Sequence, residues 1–507
     1  MIYRNLAHMS TPSERLASLI MPRLDADRWS DASYRDSAYA LLDLGVGGFG
    51  IFLGTLEETA HMLSDLRERA GRRLFFGADY EYGLPMRLRD GGIAFPRAMA
   101  LGKTLPGITD HVAEAIATEM RALGIHWNWA PVCDINSDPQ NPIINVRAFG
   151  EDAATVGTHA AAFVRGLQNR HVLACAKHAP GHGATRTDSH VSLPFVDVDV
   201  AVATSQEFAP FQECIAAGVG SIMMGHLVFT SIDGDLPASL SAKVVDLVRS
   251  SWGFDALIVT DALDMGAITR KWTSGDAALL AFQAGCDCLL LPENVHEAHA
   301  RLVQSFEAGL FDEARIEVSE RRWAAVKERY LLSPSAETVD QNAHAFMALK
   351  AADAAISVRG NTSVLPIQKY QQIAAFAVVD DHEMDIATTW FHYLAQATEL
   401  NIDFGFVDGT ISNEEMEALT EGTKDAELLV FVFFGSAVAH RGSLPGMEQV
   451  PAMIERLAAG KHVIAVVCGS PYGLETLPAD ATIFTYSDTT PSLAASVLRL
   501  IGRSPTS

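Results

Sequence analysis

Over the first 330 residues, short apolar runs rich in β-branched and aromatic residues recur between stretches with helical spacing. This is the pattern of βα units that assemble a parallel sheet. Eight runs are predicted as strands: 18–24, 47–53, 74–79, 125–131, 172–178, 219–226, 256–261 and 287–292. Between them, Thr109 or Asp110 is expected to cap a helix whose Val112, Ile116, Met120 and Leu123 share one face, with Gly124 as its stop. Phe208, Phe211 and Ile215, ended by Gly218, repeat the device. Eight strands with interleaved helices fit a closed barrel, whereas a doubly wound sheet would show a glycine-rich turn after its first strand, and none follows here.

The pattern changes after Tyr330, where Ser333-Pro334-Ser335 reads as a linker and a helical stretch at 341–356 follows. Strand-like runs then recur at 373–379, 428–434, 463–468 and 482–486, with a helical pattern at 451–459. The predicted fold is therefore α/β: a (β/α)8 TIM-type barrel over 1–332, a linker over 333–345 and a smaller α/β sandwich domain over 346–507.

Of the 507 residues 49% are hydrophobic and 20% charged, the balance of a globular chain with a large core. The net charge of -24 repels phosphate backbones and anionic lipid, so neither nucleic acid nor a membrane surface is expected as a partner. No run of 18 or more apolar residues occurs, and the apolar stretch 16–21 is interrupted by Ser18 and closed by Pro22, so neither a membrane span nor a secretory signal is expected. Six scattered cysteines read as buried reduced thiols, and the expected location is cytoplasmic. Cys286-Asp287-Cys288 alternates within a strand-like run without a second pair nearby, which favours a core role over metal binding.

Ionisable residues collect at the carboxyl ends of the predicted strands, where a barrel presents its active-site loops. Asp79 ends the third strand, Asp134 follows the fourth, Lys177 and His178 end the fifth, His226 ends the sixth and Asp261 the seventh. The densest concentration is the loop Lys177-His178-Ala179-Pro180-Gly181-His182-Gly183-Ala184-Thr185-Arg186-Thr187-Asp188-Ser189-His190. Asp188 and His190 lie two apart, on one side of an extended segment, where a carboxylate would orient an imidazole for proton transfer. By spacing alone, His178, His182 and His190 could instead form a zinc site.

This loop is similar to the Lys-His-Phe-Pro-Gly-His-Gly signature, followed by Asp-Ser-His, of the β-N-acetylglucosaminidase branch of glycoside hydrolase family 3. Asn128-Trp129-Ala130-Pro131-Val132-Cys133-Asp134-Ile135-Asn136 and Asn141–Asp152 resemble two further family segments, and Val259-Thr260-Asp261-Ala262-Leu263-Asp264-Met265-Gly266 resembles the one that holds the family nucleophile. Several long motifs in order are far more specific than one short pattern. The resemblance is strong over about residues 10–330 and weaker beyond. Ala179 stands at the usual Phe position, and Asp79-Tyr80-Glu81-Tyr82-Gly83 replaces the commoner Asp-Gln-Glu-Gly-Gly.

The resemblance implies a retaining glycosidase in which Asp261 is the nucleophile, His190 the general acid and then base, and Asp188 its orienting partner. It implies that Asp79, Arg147, Lys177 and His178 hydrogen-bond the hydroxyls of the terminal sugar. Arg87, from the same loop as Asp79, is either a further sugar contact or a solvated surface arginine. His226 and Asp134 are candidates for supporting roles behind these groups. The implied substrate carries terminal β-linked N-acetylglucosamine, as in cell-wall muropeptides or chitooligosaccharides, with no cofactor or metal required. Another β-linked sugar such as glucose, or phosphate in place of water as acceptor, is the alternative within the family, and a metal-dependent amidohydrolase is a more distant one. A non-enzymatic sugar-binding barrel is disfavoured, since binding needs neither Asp261 nor the Asp188/His190 pair. The sequence leaves the oligomeric state open.

Overall fold

The computed structural model describes residues 11–185, 193–335, 338–379, 383–408, 410–435 and 449–506. The chain forms two compact units, one from residues 1–93, 109–144 and 148–341, the other from 94–108, 145–147 and 342–507.

In the first unit the strands are β1 (Ile20–Met21), β2 (Arg23–Asp25), β3 (Gly48–Phe52), β4 (Phe75–Ala78), β5 (Trp127–Asn128), β6 (Leu173–Ala179), β7 (Phe195–Val196), β8 (Ser221–Met224), β9 (Val228–Phe229), β10 (Leu257–Thr260) and β11 (Leu289–Leu290). A parallel sheet runs β2-β3-β4-β5-β6-β8-β10. It closes on itself because Val259 of β10 bridges Cys288, and β11 pairs in parallel with β1, Ile20 opposite Leu289. Pro22, which has no N–H, divides β1 from β2, yet its carbonyl still accepts from Gly50 N at 2.8 Å. Counting β1 and β2 as one strand, the ring has eight parallel members: the expected (β/α)8 barrel.

Each predicted run contains a barrel strand, but the fourth is strand only at Trp127–Asn128. Pro131 cannot donate to the ladder, so the continuing chain is held by separate bonds, Cys175 N to Ala130 O at 2.8 Å and Cys133 N to Lys177 O at 2.6 Å. The barrel interior is filled by side chains, and Gly50 and Gly77 make room for one of the largest. A Cβ at either position would come within 2.8 Å of the Trp129 indole.

The helix expected to be capped by Thr109 or Asp110 begins earlier, at Pro106, and runs to Leu123. Thr109 is buried and its hydroxyl bonds to His159 Nδ1 at 2.8 Å, so it lies inside the helix and packs against a neighbour. Pro needs no N–H at a first helical position, a start signal that competes with the polar residues three further on. Val112, Ile116, Met120 and Leu123 form the buried face as the spacing predicts.

The second unit has β12 (Ser357–Gly360), β13 (Ile373–Val378), β14 (Ile402–Val407), β15 (Leu428–Gly435), β16 (His462–Gly469) and β17 (Ala481–Phe484) in the order β12-β17-β16-β15-β13-β14. All pairs are parallel except β12 with β17. Alternate residues of the central strands feed two cores: Ala375, Val430 and Val466 on one face, Phe376, Phe431 and Val467 on the other. This is the α/β sandwich. The edge strands β12 and β14 escaped the sequence reading because β14, with Asp403, Phe404 and Phe406 exposed, lacks the continuous apolar run of a doubly covered strand.

All six cysteines are free and buried. Among the described residues no helix is long and apolar enough to cross a membrane.

Candidate active site

At the carboxyl ends of β4 and β6, two carboxylates and two cations form one network. Lys177 Nζ, whose side chain is 3% exposed, lies 2.7 Å from Asp79 Oδ1 and 2.9 Å from Glu81 Oε1. Arg87 donates to Asp79 Oδ2, and its guanidinium covers the Phe52 ring at 4.7 Å, so it is neither surplus nor simply solvated. Burial works against ionisation of Asp79, but the charges of Lys177 and then Arg87 outweigh it and hold the carboxyl down at about 2. Charged, prearranged partners of this kind suit a polyol, whose hydroxyls both donate and accept.

Beside this network Asp134, fully buried, organises the start of the 177–190 loop. Its Oδ2 lies 2.7 Å from His178 Nδ1, and its Oδ1 accepts from His182 N at 2.7 Å and from His178 N at 3.2 Å. Burial opposes its ionisation, while His178 and His182 favour it, and its pKa lies below the ordinary carboxylate value. The carboxylate assigns the proton of His178 to Nδ1 and leaves Nε2 for other partners. Thr185 Oγ1 donates to His182 O at 3.0 Å and therefore accepts from His182 Nδ1 at 2.7 Å. Burial pushes His182 down to about 4, so this imidazole is neutral near pH 7. Asn141 closes the arrangement, donating to the carbonyls of His182 at 3.1 Å and Gly183 at 2.9 Å. Residue 183 has to be glycine, since a Cβ there would overlap the Ile135 carbonyl.

Asp261 follows β10, its backbone N donating to Met224 O at 2.9 Å. Its Oδ1 accepts from Ala262 N at 2.8 Å. Burial would raise this carboxyl, but His178, then His226, the Ala262 N–H and Lys177 outweigh it, and its pKa is lowered. Asp261 is thus a carboxylate in the same barrel mouth as the Asp79–Lys177–Arg87 network. His226 is wholly buried, with Nδ1 2.7 Å from Ser239 Oγ and Nε2 2.8 Å from Ala262 O.

Of the residues singled out from sequence, Asp79, Arg87 and Lys177 meet directly, and His178 meets Asp134. His190 and Asp188 lie outside the described residues. Arg147 ends the 3-10 turn Asn145–Arg147, which belongs to the second unit. Sequence reasoning missed Glu81, although it lies two residues after Asp79, the same spacing that joined Asp188 to His190. Asn141 and Ser239 gave no such signal. Cys286 and Cys288 are buried core thiols, and Asp287 between them accepts from Ser319 Oγ at 2.7 Å and from Ile258 N at 3.0 Å.

Residues 11–326 match the glycosyl hydrolase family 3 N-terminal domain. Beta-hexosaminidase A of Pseudoalteromonas piscicida is 31% identical over 66% of this chain and 63% of its own length. A protein of Cellulomonas fimi named beta-N-acetylglucosaminidase/beta-glucosidase is 30% identical over 68% of this chain and 65% of its own. The chain thus spans just under two thirds of these two curated relatives. The solved structure of a family 3 beta-N-acetylglucosaminidase from Paenibacillus sp. str. FPU-7 superposes with a TM-score of 0.83 at 28% identity, covering 97% of both chains.

Proposed function

The chain belongs to glycosyl hydrolase family 3, and from that premise we propose that it is a retaining β-N-acetylglucosaminidase. The observation that carries this reading is the Asp261 carboxylate, kept ionised at the end of β10 with Oδ1 occupied by Ala262 N–H. Oδ2 is the oxygen that attacks the anomeric carbon. As that bond forms, the glycosidic C–O bond breaks and His190, oriented by Asp188, protonates the departing oxygen. Water then attacks the same carbon, its proton passes to His190, and the ester bond to Asp261 breaks with the configuration retained. Asp79, Lys177, His178 and Arg87 are assigned to the hydroxyls of the terminal sugar, with Glu81 holding the Lys177 ammonium in place. The relatives' names support N-acetylglucosamine as the sugar, and cell-wall muropeptides or chitooligosaccharides are the proposed sources.

A β-glucosidase activity is the second reading, favoured by the double name of the Cellulomonas fimi relative. A panel of p-nitrophenyl β-glycosides, assayed with and without phosphate, separates the possibilities. The N-acetylglucosaminide should be turned over fastest, with free sugar released in both buffers. Preference for the glucoside would replace the sugar assignment, formation of the sugar 1-phosphate would replace water as acceptor, and turnover of neither would sink the proposal.

A further inference from the structure

At the amino-terminal end of the barrel, where the chain enters β10 and β11, Arg249, Arg315 and Arg322 line one cavity of about 380 Å³. Arg249 comes from the turn Leu247–Ser251, and the other two lie about two turns apart on the helix Glu313–Tyr330. Their side chains are only 14%, 18% and 13% exposed, so the guanidinium groups form the cavity wall and are not free surface charges. Arg315 is also fixed over the Phe282 ring at 4.1 Å.

These cations exceed what their internal partner requires. Asp287 is wholly buried, bonded to Arg249 through Oδ2 and to Arg322 through Oδ1 at 3.2 Å, while Arg315 stands off at 3.7 Å. The two remaining carboxylates of the cavity are at its rim: Asp255, 86% exposed and paired with Arg322, and Asp246, exposed and accepting from Ser250 Oγ at 2.7 Å. Solvent screens both, whereas the arginines and Asp287 are buried, so the wall itself carries a positive excess. Donors are in excess too. Arg249 donates to the carbonyls of Phe254 and Ala256 and to Asp287, and Arg315 to Phe282 O, Ser319 Oγ and Cys286 O. Arg322 uses Nε and Nη2 on Asp255 and Nη1 on Asp287. A guanidinium has five N–H groups, so two on each arginine find no acceptor among the described residues.

We propose that this cavity binds a small phosphate, its oxygens held by the remaining N–H groups of Arg249, Arg315 and Arg322. Forked guanidinium donors match a phosphate's geometry, and the volume is that of a small-molecule pocket. Val245, Phe254, Ala284 and Val318 complete the lining and offer an apolar surface to the carbon body of a phosphate ester. Elsewhere the net charge of -24 repels anions, so the attraction is local to this cluster.

Calorimetric titration at ionic strength fixed with sodium chloride, using inorganic phosphate and glycerol 3-phosphate, reads the site. Ser250 is exposed at the rim, and Ser250→Glu adds a carboxylate there without removing an arginine contact. Both probes should bind the wild-type protein, with affinity lowered about tenfold or more in Ser250→Glu, and kept within about twofold in Ser250→Ala, which removes the hydroxyl without adding charge. Turnover of an aryl glycoside by Ser250→Glu should match wild type, since the cavity lies at the end of the barrel away from Asp261. Arg315→Lys keeps the charge but loses the fork, should bind a fewfold more weakly, and carries the test if the glutamate variant does not fold. Tighter binding of the ester identifies an organic phosphate as the ligand, and equal binding identifies the free anion. Binding of neither probe, or binding unchanged in both Ser250→Glu and Arg315→Lys, would overturn the proposal.

Discussion

Replacing Lys177 by methionine keeps most of the apolar stem, ends one atom short and removes the ammonium between Asp79 and Glu81. Lys177 is almost wholly buried, and its ammonium contacts both carboxylates within 2.9 Å. Asp79 is lowered from 3.8 to about 2 against the opposing effect of burial, which corresponds to about 2 kcal/mol of stability at neutral pH. Lys177 makes the largest favourable contribution, ahead of Arg87, which the variant retains, so a large part of this goes with the ammonium. Glu81 also loses its ion pair with Lys177, adding about 1 kcal/mol. The expected loss at pH 7 is therefore about 2–3 kcal/mol.

The pH dependence fixes the cause. A depressed carboxyl contributes its full stability above the unfolded value of 3.8 and loses it as the pH falls through about 2. The gap between wild type and Lys177→Met should thus be constant from pH 7 to about 5 and narrow as the pH falls from 4 toward 2. Tryptophan fluorescence is a suitable probe, since Trp29, Trp127, Trp129, Trp252, Trp272 and Trp323 all lie in the first unit and only Trp390 in the second. Urea unfolding at several pH values reads the gap directly. A loss under about 0.5 kcal/mol, of the size expected for an exposed pair, or a gap that widens on acidification, would refute the reasoning.

Asp261→Ala should abolish turnover of aryl β-N-acetylglucosaminides with the fold intact, and proton NMR of the wild-type reaction should show the β anomer first; near-normal activity of the variant or an initial α product would contradict the assignment. His190→Ala should lose about 10²–10⁴-fold in kcat/KM on a disaccharide and much less on a dinitrophenyl glycoside, whose leaving group departs unaided. Asp188→Ala should show a milder version of that trend, and an equal loss at every leaving-group pKa would remove His190 as the acid. Gly77→Ala, which drives a Cβ to 2.8 Å from the Trp129 ring, should destabilise the barrel by about 1–3 kcal/mol, visible as an earlier fluorescence transition; an unchanged transition would mean that the indole can shift aside.

The barrel and the chain positions of Asp79, Lys177, His178 and Asp261 were legible in the sequence because their signals are local. An apolar run marks a strand, a polar residue at its end marks the barrel mouth, and a motif of a dozen residues is read without knowing what it touches. Glu81 shared that kind of signal through its spacing from Asp79. Other features were decided only by tertiary structure, because they depend on register between strands far apart in the chain. Asp134 meets His178 and His182 across 44 and 48 positions, and His226 meets Ala262 across 36. Side-chain type says that such groups seek partners, but the ladder between neighbouring strands decides which partners they find. The same holds for the segments 94–108 and 145–147, which lie within the barrel's sequence and pack with the second unit. Which core buries an apolar segment is settled by the surfaces available to it in space, and no periodicity along the chain records that choice.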